Sequence, residues 1–99
     1  MVDSLIPGSV IDMDIGNNRW MKCLIISRLE YNRTFKLVLL TPLVHKNKGS
    51  AFEISFENMV ILADQVRSID LGNRQFRVVS KVPKNVLEDV RRVLRRIID

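Results

Sequence analysis

Before Pro83 the apolar residues of this chain come in short runs separated by turn residues; after it they recur with the period of a helix. Ile11, Met13 and Ile15 alternate with Asp12 and Asp14, as in a half-buried strand, and Gly16-Asn17-Asn18 turns the chain. Met21 to Ser27 is nearly all apolar and reads as a central strand, followed by a connection over Glu30 to Thr34. Phe35 to Thr41 reads as a third strand stopped by Pro42. A basic loop from His45 to Ser50 leads to a strand in which Phe52, Ile54 and Phe56 oppose Glu53, Ser55 and Glu57. Met59 to Leu62 supplies a fifth strand, Leu71-Gly72-Asn73 a turn, and Phe76 with Val78 a further short strand. Val86, Leu87, Val90, Val93, Leu94, Ile97 and Ile98 then share one face of a helix, with Pro83 at its start and four arginines in its second half. Short strands, tight turns and one terminal amphipathic helix predict a mainly β fold with a C-terminal α-helix, a small antiparallel barrel capped by that helix.

The stretch ADQVRSID, residues 63–70, sets Asp64, Gln65, Arg67 and Asp70 around the end of the fifth strand. A carboxylate beside a guanidinium suits proton transfer next to a phosphate. The same residue types at a strand end also simply pair with each other or satisfy turn backbone.

Several pieces extend the pattern in colinear order. Pro7-Gly8 precedes an alternating strand, Tyr31-Asn32-Arg33 precedes an apolar one, Lys48-Gly49 lies four residues before Glu53, and Val82-Pro83 opens the helix. With ADQVRSID, these make the chain resemble the MazF/PemK/Kid toxins over nearly its whole length. The resemblance implies an SH3-like barrel, a homodimer, and a sequence-selective, metal-independent endoribonuclease of a toxin-antitoxin pair. The antitoxin's acidic C-terminal segment covers the RNA groove in such proteins. CcdB-type gyrase poisons share the fold, but the ending Arg96-Ile97-Ile98-Asp99 lacks their penultimate tryptophan.

Metal-free RNA cleavage turns the neighbouring 2'-hydroxyl on the phosphate, so it needs a base, an acid and a cation, and no cofactor. The resemblance carries the base role to Asp64 and also matches Gln65, Arg67 and Asp70. It departs elsewhere. Met21-Lys22 stand where the family usually has Arg-Pro, Val44 stands where it has Thr or Ser, and Leu62 replaces an arginine of some members. Arg19 and Lys22 flank the absent arginine, and His45, the sole histidine, follows the absent hydroxyl. Histidine is the side chain whose ordinary pKa lies nearest neutrality, although isolated loop histidines are often bystanders. Candidate catalytic residues are therefore Asp64, His45, Lys22 and Arg19.

For RNA binding the candidates are Trp20, Lys46, Lys48, Gln65 and Arg67. Trp20 reads equally as a platform for a base, a seat for an antitoxin side chain, or a packing anchor at the rim. The lysines read as phosphate contacts or as plain surface charge.

Length bounds the rest: 99 residues make one domain, 1–99. A net charge of +5, with ten arginines, favours a polyanion or an acidic protein segment as partner. Cys23, alone and inside an apolar run, reads as a core residue, leaving no disulfide or zinc framework. No apolar run approaches membrane-spanning length, so no membrane partner and a cytoplasmic location are expected. The expected partners are single-stranded RNA, an acidic antitoxin and a second copy. The alternative is a catalytically degenerate barrel that still captures an acidic antitoxin or, in the manner of CcdB, DNA gyrase.

Overall fold

A computed structural model describes residues 5–35, 37–46, 49 and 51–98. The elements run β1 (Ser9–Gly16), β2 (Arg19–Ile25), α1 (Leu29–Phe35), β3 (Val38–Val44), β4 (Glu53–Phe56), β5 (Met59–Leu62), β6 (Arg67–Ile69), a 3-10 turn (Leu71–Asn73), β7 (Phe76–Lys81) and α2 (Lys84–Ile98). All strand pairs are antiparallel, in the order β4-β5-β3-β2-β1-β7, with β6 also on β3. The sheet curls into the expected SH3-like barrel without closing, since β4 and β7 remain its ends.

The β1–β2 hairpin follows from its turn. Gly16 pairs with Arg19, and both residues between them, Asn17 and Asn18, have positive φ, 55° and 59°. Asparagine tolerates that region, and a two-residue loop of this hand matches strand twist.

Strand alternation divides the apolar side chains between two cores. Ile11, Met13, Cys23, Ile25, Val38 and Leu40 fill the inside of the curl with Leu5 and Leu71. The opposite faces supply Val10, Leu24, Leu43 and Ile61, which pack under α2 through Leu87 and Val90. Fully burying one such side chain contributes about 1.5–3 kcal/mol, so a slip of one residue in either hairpin would cost several at once. Pro83 precedes α2 rather than opening it, and its carbonyl accepts from the amides of Val86 (3.0 Å) and Leu87 (3.2 Å). Along the helix surface Glu88 pairs with Arg91 and Arg95, and Asp89 with Arg92.

Residues 30–35 are not a connection and the opening of a strand but the helix α1. Its buried residue is polar. Asn32 is fully buried, accepts from the Ser27 hydroxyl, and donates to the Leu5 carbonyl at 2.8 Å. Ser27 Oγ in turn accepts from the Leu39 amide at 3.0 Å. Tyr31 and Phe35, one helical turn apart, meet with ring centroids 5.0 Å apart. A seven-residue helix anchored through an asparagine has no apolar period to reveal it.

Pro42 does not end β3, which continues to Val44. Along one edge β3 pairs first with β6, up to Leu40, and then with β5, from Leu43. Pro42, which has no amide hydrogen, falls in the gap between those partners, where no ladder bond is lost. Three steps along β3, from Leu40 to Leu43, face six along the opposite segment, from Arg67 back to Ile61. Three extra residues therefore loop out opposite Thr41 and Pro42.

Candidate nucleic-acid interface

The loop-out is where ADQVRSID puts its chemistry. The stretch begins where β5 ends, as expected, and links two strands that pair with the same neighbour. Ala63 is buried and Val66 packs against the core under α2. The Ala63 amide donates to the Phe52 carbonyl at 3.2 Å, and the Gln65 amide donates to the Leu62 carbonyl at 3.1 Å. With both ends drawn inward, Asp64 and Gln65 project into solvent.

Arg67, opposite Leu40 on β6, lines a cleft of ≈ 240 Å³ with Met13, Met21, Pro42, Ile69 and Arg74. Arg74 is the cation that reading the sequence missed. Its Nη1 donates to the Asp14 carbonyl at 3.2 Å, a contact across sixty residues that no local pattern announces. Asp70 positions it indirectly. Asp70 Oδ1 accepts from the Gly72 amide at 2.9 Å and Oδ2 from Asn73 Nδ2 at 2.7 Å, capping the 3-10 turn that delivers Arg74. Asp70 thus serves the turn rather than proton transfer. Among the described residues neither Arg67 nor Arg74 has a carboxylate partner.

Met21 and Val44 each lie two residues beyond the paired positions Cys23 and Pro42, on neighbouring strands. The two departures from the family pattern are thus neighbours in space, and Met21 puts a thioether where a cation is usual. Lys22 does not replace it. Alternation turns Lys22 to the opposite face of β2, where its Nζ reaches Asp12 Oδ1 at 2.8 Å. Arg77 approaches Asp12 Oδ2 from the other side at 3.5 Å and lies over the Trp20 ring, 5.8 Å from its centroid. Trp20, Lys22, Asp12 and Arg77 thus form a second group on the outer face. Arg19 is exposed at the hairpin end of β2.

His45 and Lys46 are exposed just past β3, and His45 is five residues along the strand from the partner of Arg67, roughly 16 Å at strand rise. Lys48 lies outside the described residues. Among the described residues there is no cluster of three His, Cys, Asp or Glu side chains able to hold a metal. No helix among them is long and apolar enough to cross a membrane.

Cys23 is fully buried, as its apolar run predicts. Burial pushes its thiol up from 9.0 to about 11, Arg67 draws it down, and Asp12 adds a smaller upward push.

Among curated proteins, none matches this sequence. Solved structures do. MazF of Deinococcus radiodurans on its own is 25% identical, with a TM-score of 0.83 over 95% of this chain and 96% of that one. The MazE-MazF complex of the same organism gives 26% identity and a TM-score of 0.85 over 95% of each chain. A mycobacterial endoribonuclease solved with its cognate antitoxin, 15% identical, shares the fold at a TM-score of 0.77 over 94% and 91%. The family model for the PemK-like, MazF-like toxins of type II toxin-antitoxin systems matches residues 11–98. From the loop-out of ADQVRSID to the helix packed across the sheet, the chain belongs to that family of toxins.

Proposed function

We propose that this toxin is a metal-independent endoribonuclease that cuts single-stranded mRNA at a short sequence, leaving a 2',3'-cyclic phosphate and a 5'-hydroxyl. The observation that carries the reading is the convergence of Arg67 and Arg74 on one small cleft, with no ion pair to a carboxylate among the described residues. Two such guanidinia favour a phosphate and, more strongly, the extra negative charge of the phosphorane; removing one such donor typically costs about 10²- to 10³-fold in rate. Asp64, exposed on the loop-out opposite Pro42, is the proposed base toward the 2'-hydroxyl, with Gln65 beside it to hold the substrate. The departing 5'-oxygen is proposed to take its proton from solvent at the cleft; His45, five residues along β3 from the partner of Arg67, is proposed to meet RNA at the end of that strand. Lys46 and Lys48 then meet phosphates further along the strand. The working unit is a homodimer, and an acidic segment of the antitoxin competes with RNA for the same cations.

The test is cleavage of a long RNA by purified toxin with EDTA present, followed by mapping of 5' ends and chemical identification of the termini. Discrete cuts bearing cyclic phosphate support the reading. RNA left intact by toxin free of antitoxin sinks it.

A second reading has its own observation. Met21 occupies the position of the usual arginine, and Lys22 faces away. A barrel so altered would still bind an acidic antitoxin without cutting RNA, and its gyrase-directed version predicts growth inhibition relieved by gyrase mutations.

A further inference from the structure

We infer that the outer-face group around Trp20 is a nucleobase-binding subsite, which holds one base flanking the cut and so contributes to sequence selection. The inference rests on the proposed RNA substrate and adds a place, a set of residues and a mode of contact to it.

The residues are assembled by the fold rather than by proximity in sequence. Trp20 is paired with Asp14 across the β1–β2 hairpin, and Arg77 reaches the same face from β7, two strands away. Trp20 is 49% exposed, a large value for the chain's sole tryptophan. Arg77 covers part of the indole, and Asp12, itself half-buried and paired with Lys22, restrains the guanidinium there. An indole with a guanidinium held at cation–π distance offers a further aromatic ring a ready surface, because both groups recognise a base by its π-face.

Beside this pair runs an open cleft of ≈ 730 Å³ lined by Trp20, Gly72, Arg74, Gln75, Phe76 and Arg77. It offers what a nucleotide needs: an aromatic wall, two cations for the adjoining phosphates, and in Gln75 an amide with both donor and acceptor for a base edge. Arg74 lines this cleft and also the smaller one that holds Arg67. One side chain therefore joins the two, and a strand of RNA whose phosphate meets Arg74 can reach both, with its reacting phosphate at Arg67 and a neighbouring base on Trp20. An acidic peptide would be drawn by the same arginines, but it has no ring to lie against Trp20 and Arg77.

Because Trp20 is the only tryptophan, its emission reports the subsite directly. The probes are fluorescein-labelled ten-residue 2'-O-methyl RNAs, which lack the nucleophilic hydroxyl, in oligo-A, oligo-C, oligo-U and mixed sequences, with a ten-residue oligo-glutamate as a second probe. Bound RNA is expected to quench Trp20 by half or more, to different extents for different bases. Trp20→Ala and Arg77→Ala are each expected to weaken binding, read by fluorescein anisotropy, by about tenfold or more. On a cleavable mixed RNA, Trp20→Ala is expected to relax the sequence requirement at one flanking position. Oligonucleotide binding with unchanged Trp20 emission, or Trp20→Ala with unaltered affinity and cut sites, overturns the subsite. So does quenching by oligo-glutamate but by no RNA. Quenching by RNA in a toxin that leaves cleavable RNA intact supports the subsite while defeating the proposed reaction, and cleavage without quenching does the reverse.

Discussion

Met21 and Lys22 are consecutive in the chain and belong to different chemistries. Met21 looks into the cleft of Arg67 and Arg74, two cations with no ion pair among the described residues, set beside apolar walls. Lys22 looks the other way, onto a surface where Asp12 lies between two cations and Arg77 lies over the Trp20 ring. The first face has unspent positive charge and suits an anion under reaction. The second has its charge partly compensated, one carboxylate between two cations, and an aromatic surface exposed, which suits recognition. A residue next in sequence to a missing group is thus a poor substitute in a strand, and one cation of the cleft, Arg74, arrives from beyond β6.

That division can be attacked from both sides. The largest effect is expected from Arg67→Ala, a fall of about 10²- to 10³-fold in RNA cleavage with an unchanged melting temperature. Equal losses in activity and stability would mean that Arg67 serves the fold. Met21→Arg restores a third cation to the cleft and is expected to raise the cleavage rate about tenfold, compared in single-turnover assays. A decrease would show that the cleft already binds phosphate as it needs. Thr41→Val tests the core beneath: the Thr41 hydroxyl is buried without a hydrogen-bond partner among the described residues, and its removal is expected to stabilise by about 1 kcal/mol, read as a higher urea midpoint. The smallest change in rate is expected from Lys22→Met, within about threefold of wild type, the scale of a partly exposed ion pair. A loss as large as that of Arg67→Ala would erase the distinction between the faces.

Cys23 adds a probe on the cleft-facing side of β2. Above the ordinary thiol value of 9.0 the unfolded chain releases a proton that the folded chain keeps until about pH 11, so stability falls as pH rises through that window. Iodoacetamide at pH 8 is expected to label the chain only after denaturation; rapid labelling of native toxin would contradict the burial.

The sequence made the strands, the terminal helix and the family legible because each leaves a periodic or contiguous mark. Period two exposed β1 and β4, an apolar run exposed β2, and the shift to period 3.6 exposed α2. α1 left no such mark, since its anchor is Asn32. β6 is only three residues long and has no apolar alternation of its own. Pro42 misled because its missing donor is harmless in a gap that only the two registers of β3 create. Site residues were less legible than elements for one reason: Arg74, Asp70 and Arg77 take their roles from turns and strands far away in sequence. Asp64 and Gln65 were singled out through their motif, yet the reason that they project, inward anchoring of Ala63 and Val66, needs the packed structure.

The double register of β3 bears on how such a chain can diversify. β5 and β6 are each fixed by their own pairing, so residues gained or lost between Leu62 and Arg67 are absorbed where they occur and do not rotate either strand's side chains to the wrong face. The segment carrying Asp64 and Gln65 is in effect a replaceable insert in a frame that holds its alignment. Among sequences built on this frame, length variation at that segment would alter substrate preference while leaving the folding problem unchanged.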